Sequence, residues 1–151
     1  MMLGGEFRIS IDEKGRILIP SRLKDSVPEE SLIITRGVER CLWLLIEQTW
    51  QELSQRIMGN PWSMFDQRSR LLQRRIIAPA QQCAIKSGRI TIPATLRESA
   101  GLELKSEAIL LGIQNRLEMW NIEEYERYID ESEKDFAEAS EAIGKDLRDL
   151  L

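Results

Sequence analysis

Histidine is absent from all 151 residues. With it go the commonest general base near neutral pH and the commonest zinc ligand. Cysteine is scarce: Cys41 and Cys83 are the only two. They offer no Cys-x-x-Cys or Cys/His spacing, so two buried, reduced thiols are expected and no metal site. No apolar run approaches the roughly 18 residues that a membrane span requires. The opening MMLGGEFRIS lacks a basic region followed by an apolar stretch, which argues against a secretory signal. No nucleophile stands at a recognisable spacing from a base. The expectation is a protein that is not an enzyme, needs no cofactor and does not enter a membrane.

The formal net charge of −4 at first argues against a polyanionic partner, but it hides an asymmetry. Residues 1–120 carry 17 basic and 14 acidic side chains, a balance of +3, while residues 121–151 carry 4 basic and 11 acidic, a balance of −7. The body is mildly basic and the tail acidic, so the net figure describes neither face.

The chain repeats itself. IDEKGRILIP at 11–20 returns as IKSGRITIP at 85–93. Aligning Gly15-Arg16 with Gly88-Arg89 brings Ile17/Ile90, Ile19/Ile92, Pro20/Pro93, Leu23/Leu96 and Lys24/Arg97 into register. After two extra residues, Leu42/Leu117, Leu44/Met119 and Trp50/Tyr125 follow. Each half reads as strand, turn, strand, short helix, strand, strand. Period-two alternation marks the first strand, a proline ends the second and opens the helix, and two apolar runs around Gly37 form a hairpin. A unit of this size rarely sustains its own core, so the two halves are expected to bury their apolar faces together as an intrachain pseudo-dimer. The expected divisions are a first repeat at 7–50, a helical connector at 51–79, a second repeat at 80–125 and an acidic helical tail at 126–151.

In the connector, Trp50, Leu53 and Ile57 fall at helical spacing, and Asn60-Pro61 is expected to start a second helix after the break at GNPWS. That helix would carry Phe65, Leu72 and Ile76 on one side. Its arginines (Arg68, Arg70, Arg74, Arg75) would form a solvated or phosphate-facing surface. The four tryptophans read as core or subunit contacts rather than base-stacking platforms.

The charged turn carries the chemistry. Asp12 and Arg16 flank a tight hairpin and can face each other across its mouth, with Lys14 at the tip beside Gly15, which tolerates positive φ. Gly88 holds the same place in the second turn, near Lys86 and Arg89. The bland alternative is a solvated turn with a surface ion pair of little worth. The sharper one is an arginine held in a fixed pose on a β-ribbon, suited to the major groove of DNA.

DEKGRILIPSRLK, CLWLLIEQTW, RRIIAPAQQC, GRITIPATLRESAGL and LEMWNIEEYE, in this order and spacing, resemble the MraZ family over nearly the whole chain. The resemblance implies an α+β, mainly β fold. Tandem duplicated AbrB/SpoVT-like swapped-hairpin β-barrel halves would form an intrachain pseudo-dimer, with connecting and C-terminal helices. It also implies a cytoplasmic, nucleoid-associated transcriptional regulator, often a repressor. Such a protein binds double-stranded DNA at short direct repeats upstream of the division and cell-wall gene cluster, as a ring-shaped homo-oligomer. An antitoxin-like protein-binding module of the wider AbrB-like class is the alternative. The family's Asp-x-x-x-Arg motif is complete at Asp12–Arg16. In the second copy Arg89 is present, but Ile85 stands four positions before it. DNA-binding residues are therefore expected at Lys14, Arg16, Lys86 and Arg89, with Asp12 orienting Arg16 and Gly15 and Gly88 shaping the turns. The first hairpin outweighs the second.

Overall fold

The computed structural model describes residues 3–27 and 30–150. Met1 and Met2, at the head of the leader, and Pro28, Glu29 and Leu151 lie outside the described residues. Two units result, one running to Asn121 and the other beginning at Ile122.

In the first unit, β1 (Leu3–Ile11) turns into β2 (Arg16–Leu18), and Pro20, which has no N–H for a ladder, leads into α1 (Ser21–Lys24). β3 (Ser31–Arg36) and β4 (Leu42–Leu45) form the next hairpin, and α2 (Glu47–Met58) opens the connector. The second repeat supplies β5 (Gln81–Lys86), β6 (Arg89–Thr91), α4 (Ala94–Ser99), β7 (Ser106–Gln114) and β8 (Arg116–Asn121). All eight strands join one antiparallel sheet in the order β1-β7-β8-β4-β3-β5-β6-β2, curled into a nearly closed barrel.

The pairing shows the swap. β1 runs along β7 of the other repeat, and β5 runs along β3. β2 pairs with β6 about the centre Ile17↔Ile90, and β4 pairs with β8 about Trp43↔Glu118. Both centres lie on one pseudo-twofold axis. They are four strands apart around an eight-stranded barrel, hence at its opposite sides.

Alternation explains the core. Ile9, Ile11, Ile17 and Ile19 from the first hairpin meet Ile90, Ile92, Leu110, Leu117 and Met119, all buried. Leu23 and Leu96 plug it from the two short helices. Neither repeat encloses these side chains alone, because each lends its first strand to the other.

The connector departs from the expected pair of helices. Asn60 caps a 3-10 turn at Pro61–Phe65, accepting from the Trp62 N–H at 2.9 Å. Asp66 then caps a fresh start, α3 (Gln67–Leu72), and the chain widens into a π-helical turn at Gln73–Ile77. The extra residue of a π turn rotates the face that follows. Of the expected apolar side, only Ile76 is buried, whereas Phe65 is 71% and Leu72 43% exposed. Buried Thr35 in β3 donates its hydroxyl to the Ile76 carbonyl and ties down this end of the connector.

The second unit is α5 (Ile122–Glu131) and α6 (Glu133–Leu147), closed by a 3-10 turn at Arg148–Leu150. No helix among the described residues is long and apolar enough to cross a membrane.

Candidate nucleic-acid interface

The first turn is built around one carboxylate. The Gly15 N–H donates to the Asp12 carbonyl at 3.1 Å, and the Asp12 N–H to the Arg16 carbonyl at 3.0 Å. With Gly15 at φ +78°, this is a three-residue loop ending in a left-handed bulge residue. Asp12 Oδ1 accepts from the Lys14 and Arg16 N–H groups, each at 2.9 Å. Its Oδ2 accepts from Arg16 Nε at 2.7 Å. The Arg16 N–H bond is the main force holding the Asp12 carboxyl below its ordinary value, with the Lys14 N–H and the Arg16 guanidinium adding to it against desolvation. The contact uses Nε and no terminal nitrogen, so one fork of the half-exposed guanidinium stays available for a second partner.

The second turn has the same glycine and arginine but a different construction. Ser87 and Gly88 both have positive φ, 53° and 76°. Together they make a two-residue loop in which Lys86 pairs with Arg89 and Ile85 with Ile90. Five residues separate the inward Ile11 and Ile17 of the first hairpin, and four separate Ile85 and Ile90. One residue is missing, and a one-residue change reverses every side chain before it. This corrects the sequence alignment. Ile85 takes the place of Ile11 against the core, and the residue that faces Arg89 as Asp12 faces Arg16 is Lys86. Arg89 therefore meets a cation where its counterpart meets an anion.

The swap then joins the two hairpins. Arg16 lies opposite Thr91, and Leu18 opposite Arg89, so Arg16 and Arg89 are diagonal neighbours on the outer face. Arg16, Lys86 and Arg89 line one open concavity of about 650 Å³, with Thr91, Ser87, Ala84 and Cys83. None of these lining residues is acidic. Lys14 stands at the first tip, exposed and outside this lining. Sequence reasoning missed Lys24. Its Nζ would lie 3.5 Å from a Cβ placed on Gly88, beside the second turn. The repeat's Lys24/Arg97 match was the available signal. The Arg97 Nε would lie the same 3.5 Å from a Cβ on Gly15.

Like charges directly opposite on a sheet destabilise it. Three cations gathered from β2, β5 and β6 without an acid among them form a surface that an anion would relieve. Four other groups do not share this character. Among the described residues, no three of Cys, Asp or Glu are grouped to hold a metal. The arginines of the connector stand on another element. Trp120 is buried, its indole N–H bonded at 3.0 Å to the buried Glu118, which also accepts from Arg116 at 2.8 Å. Cys41 is buried and Cys83 partly so, both as free thiols.

Comparison with known proteins agrees with this duplicated architecture. The family described as "MraZ protein, putative antitoxin-like" matches twice, over residues 2–75 and 76–146. A protein of Treponema denticola named transcriptional regulator MraZ is 46% identical over 142 residues, covering 93% of this chain and 96% of its own. Proteins of the same name from Treponema pallidum and Desulforamulus reducens are 36% and 34% identical, over 92% and 94% of this chain and 92% and 97% of their own. With both halves matched by the family and these relatives similar along almost their whole length, the chain belongs to the MraZ family.

Proposed function

We propose that the protein is a sequence-specific transcriptional regulator of double-stranded DNA. In this reading the face formed by Arg16, Lys86 and Arg89 is laid against the duplex, with Lys14 reaching an adjacent phosphate. The Asp12-held fork of Arg16 suits bidentate contact with a guanine edge, and Lys86 and Arg89 suit backbone phosphate. The single observation that carries the reading is the acid-free concavity in which Lys86 stands opposite Arg89 beside Arg16. The names of the relatives point the same way.

One such face makes few contacts and binds weakly. A ring-shaped homo-oligomer would present several faces at fixed spacing to short direct repeats, raising apparent affinity by roughly 10²–10⁴ without new contact types. The operator would lie upstream of the division and cell-wall gene cluster, the protein would act in the cytoplasm at the nucleoid, and repression would follow from occupying the promoter. The test is a gel shift on a repeat-bearing probe. Arg16→Ala is expected to lose about 1–3 kcal/mol per guanine contact and with it specific binding, with assembly mass unchanged. Arg89→Ala is expected to lose less. Unchanged affinity for Arg16→Ala would overturn the reading. Failure to bind such a probe at all, with capture of a basic protein instead, would favour the antitoxin-like alternative.

A further inference from the structure

Large apolar side chains that remain exposed are unevenly placed. Of sixteen, six lie on the connector (Met58, Trp62, Met64, Phe65, Leu71, Leu72) and six on the C-terminal unit (Tyr128, Ile129, Phe136, Ile143, Leu147, Leu150). Four lie elsewhere. Patches of this kind mark interaction sites rather than ordinary surface. On the connector, Trp62 and Phe65 stack at 6.0 Å between ring centres, 73% and 71% exposed. On the C-terminal unit, Phe136, Ala139, Ile143 and Leu147 recur at helical spacing along α6. A groove of about 640 Å³ at the α5–α6 joint is floored by Tyr128, Ile129, Phe136 and Ala139 and rimmed by Asp130, Glu133 and Asp135.

Charge decides what each patch would accept. Residues 59–80 hold four arginines and one aspartate, while residues 122–151 hold four basic and eleven acidic side chains. Either patch against its own copy would bring like charges together. Each against the other pairs opposite charges, which fixes orientation and rejects the alternative. We propose that the acidic helical unit at 122–150 of one copy docks on the basic aromatic connector at 58–75 of a second copy, its groove receiving the Trp62–Phe65 pair. The contact joins two different surfaces, head to tail. Such heterologous contacts propagate and close into rings, whereas a self-complementary contact stops at two. The inference rests on the ring assembly proposed above and names the surfaces that build it. It makes the acidic tail an assembly element rather than a solubilising appendage.

The experiment uses full-length chains and light scattering on a sizing column, without DNA. Trp62→Ser/Phe65→Ser removes the connector face, and Phe136→Ser/Ile143→Ser removes the tail face. All four residues are exposed, so circular dichroism and the unfolding midpoint are expected to match the parent. A second tail variant, Glu133→Lys/Asp135→Lys, keeps the apolar stripe and is expected to act in the same direction. Each double variant should fall from the multi-subunit mass to one chain. An equimolar mixture of the connector and tail variants retains one sound face of each kind, so it should form a complex of two chains and stop there. Parental mass in both variants would overturn the inference while leaving the ring standing. Loss of assembly in only one variant would overturn it too, because that patch would then pair with itself. A mixture that stays as single chains would show docking within a chain and overturn it as well. A parent that is itself a single chain would remove the ring along with the inference.

Discussion

Asp12→Asn removes a negative charge from a surface proposed to meet DNA, and simple Coulomb reasoning says that binding should tighten. The geometry says the opposite for specific binding. Asp12 Oδ1 accepts from the Lys14 and Arg16 N–H groups at 2.9 Å, and an asparagine oxygen can accept the same pair, so the turn persists. Oδ2, at 2.7 Å from Arg16 Nε, becomes an amide nitrogen. A donor then faces a donor, and the guanidinium is released. Ordering a rotamer-rich side chain on binding costs about 0.5–1.5 kcal/mol. The parent meets that cost within its own turn, and the variant must meet it at the groove. On a probe with a single repeat, specific affinity should fall about twofold to twelvefold. Non-specific affinity should hold or improve. The slope of log affinity against log salt should not change, since the same cations neutralise the same phosphates. Titrations at three salt concentrations with specific and scrambled probes measure all of this. Specific binding at least as tight as the parent's would refute the claim that Asp12 acts by orienting Arg16.

The one-residue difference between the hairpins makes neighbouring substitutions diverge. Ile85→Asp should cost about 1–3 kcal/mol in denaturant unfolding by placing a carboxylate against the core, whereas Lys86→Asp, facing Arg89, should leave stability within about 0.5 kcal/mol. The latter should nonetheless weaken DNA binding more than removal of one charge, since it occupies Arg89. Gly112→Ala should destabilise by about 1–3 kcal/mol, because its Cβ would meet the Gly4 backbone nitrogen at 2.8 Å. Gly144→Ala, with open space around it, should raise the unfolding midpoint through about 0.5–1 kcal/mol of helix propensity. Burial, with Glu118 and Glu39 adding, pushes the Cys41 thiol from 9.0 up to about 12. The folded state thus keeps a proton that the unfolded chain releases, and this share of stability is full below pH 9 and lost as pH climbs toward 12. Thiol titration at pH 8 should accordingly label Cys83 first and Cys41 only on unfolding.

Much of this fold is legible in the sequence because each signal is local. Proline at 20 and 93 ends a strand and begins a helix in both repeats, and Gly15 and Gly88 sit at positive φ in the turns. The duplication itself announces a pseudo-dimer. Which strands pair is not local. Ile17 and Ile90 alternate inward whether β2 meets β6 or a strand of its own repeat, and only closure of the shared core selects the swap. The connector misled for a related reason. Helical spacing placed Phe65, Leu72 and Ile76 on one face, but the new cap at Asp66 and the π turn at Gln73–Ile77 break the phase on which that count depends. The missing residue in the second hairpin escaped notice because Gly88-Arg89 align perfectly with Gly15-Arg16. The loss lies upstream, where Ile85 looks like a substitution for Asp12 and is instead the partner of Ile11.

That missing residue bears on the kind of operator the proposed function requires. A protein with a strict dyad presents identical reading heads in opposite directions, and its preferred site is an inverted repeat. Here the barrel keeps the dyad at its core, in the Ile17↔Ile90 centre and the matched β1–β7 and β5–β3 pairings. It breaks the dyad on its outer face. One hairpin offers an arginine braced by a carboxylate, the other an arginine crowded by a lysine. Such a face reads one strand direction differently from the other. Copies of it related by rotation around a ring, rather than by a twofold, would meet the same half-site in the same direction each time. A direct repeat is the sequence that satisfies that arrangement, and the asymmetry needed for it comes from deleting a single residue from a loop.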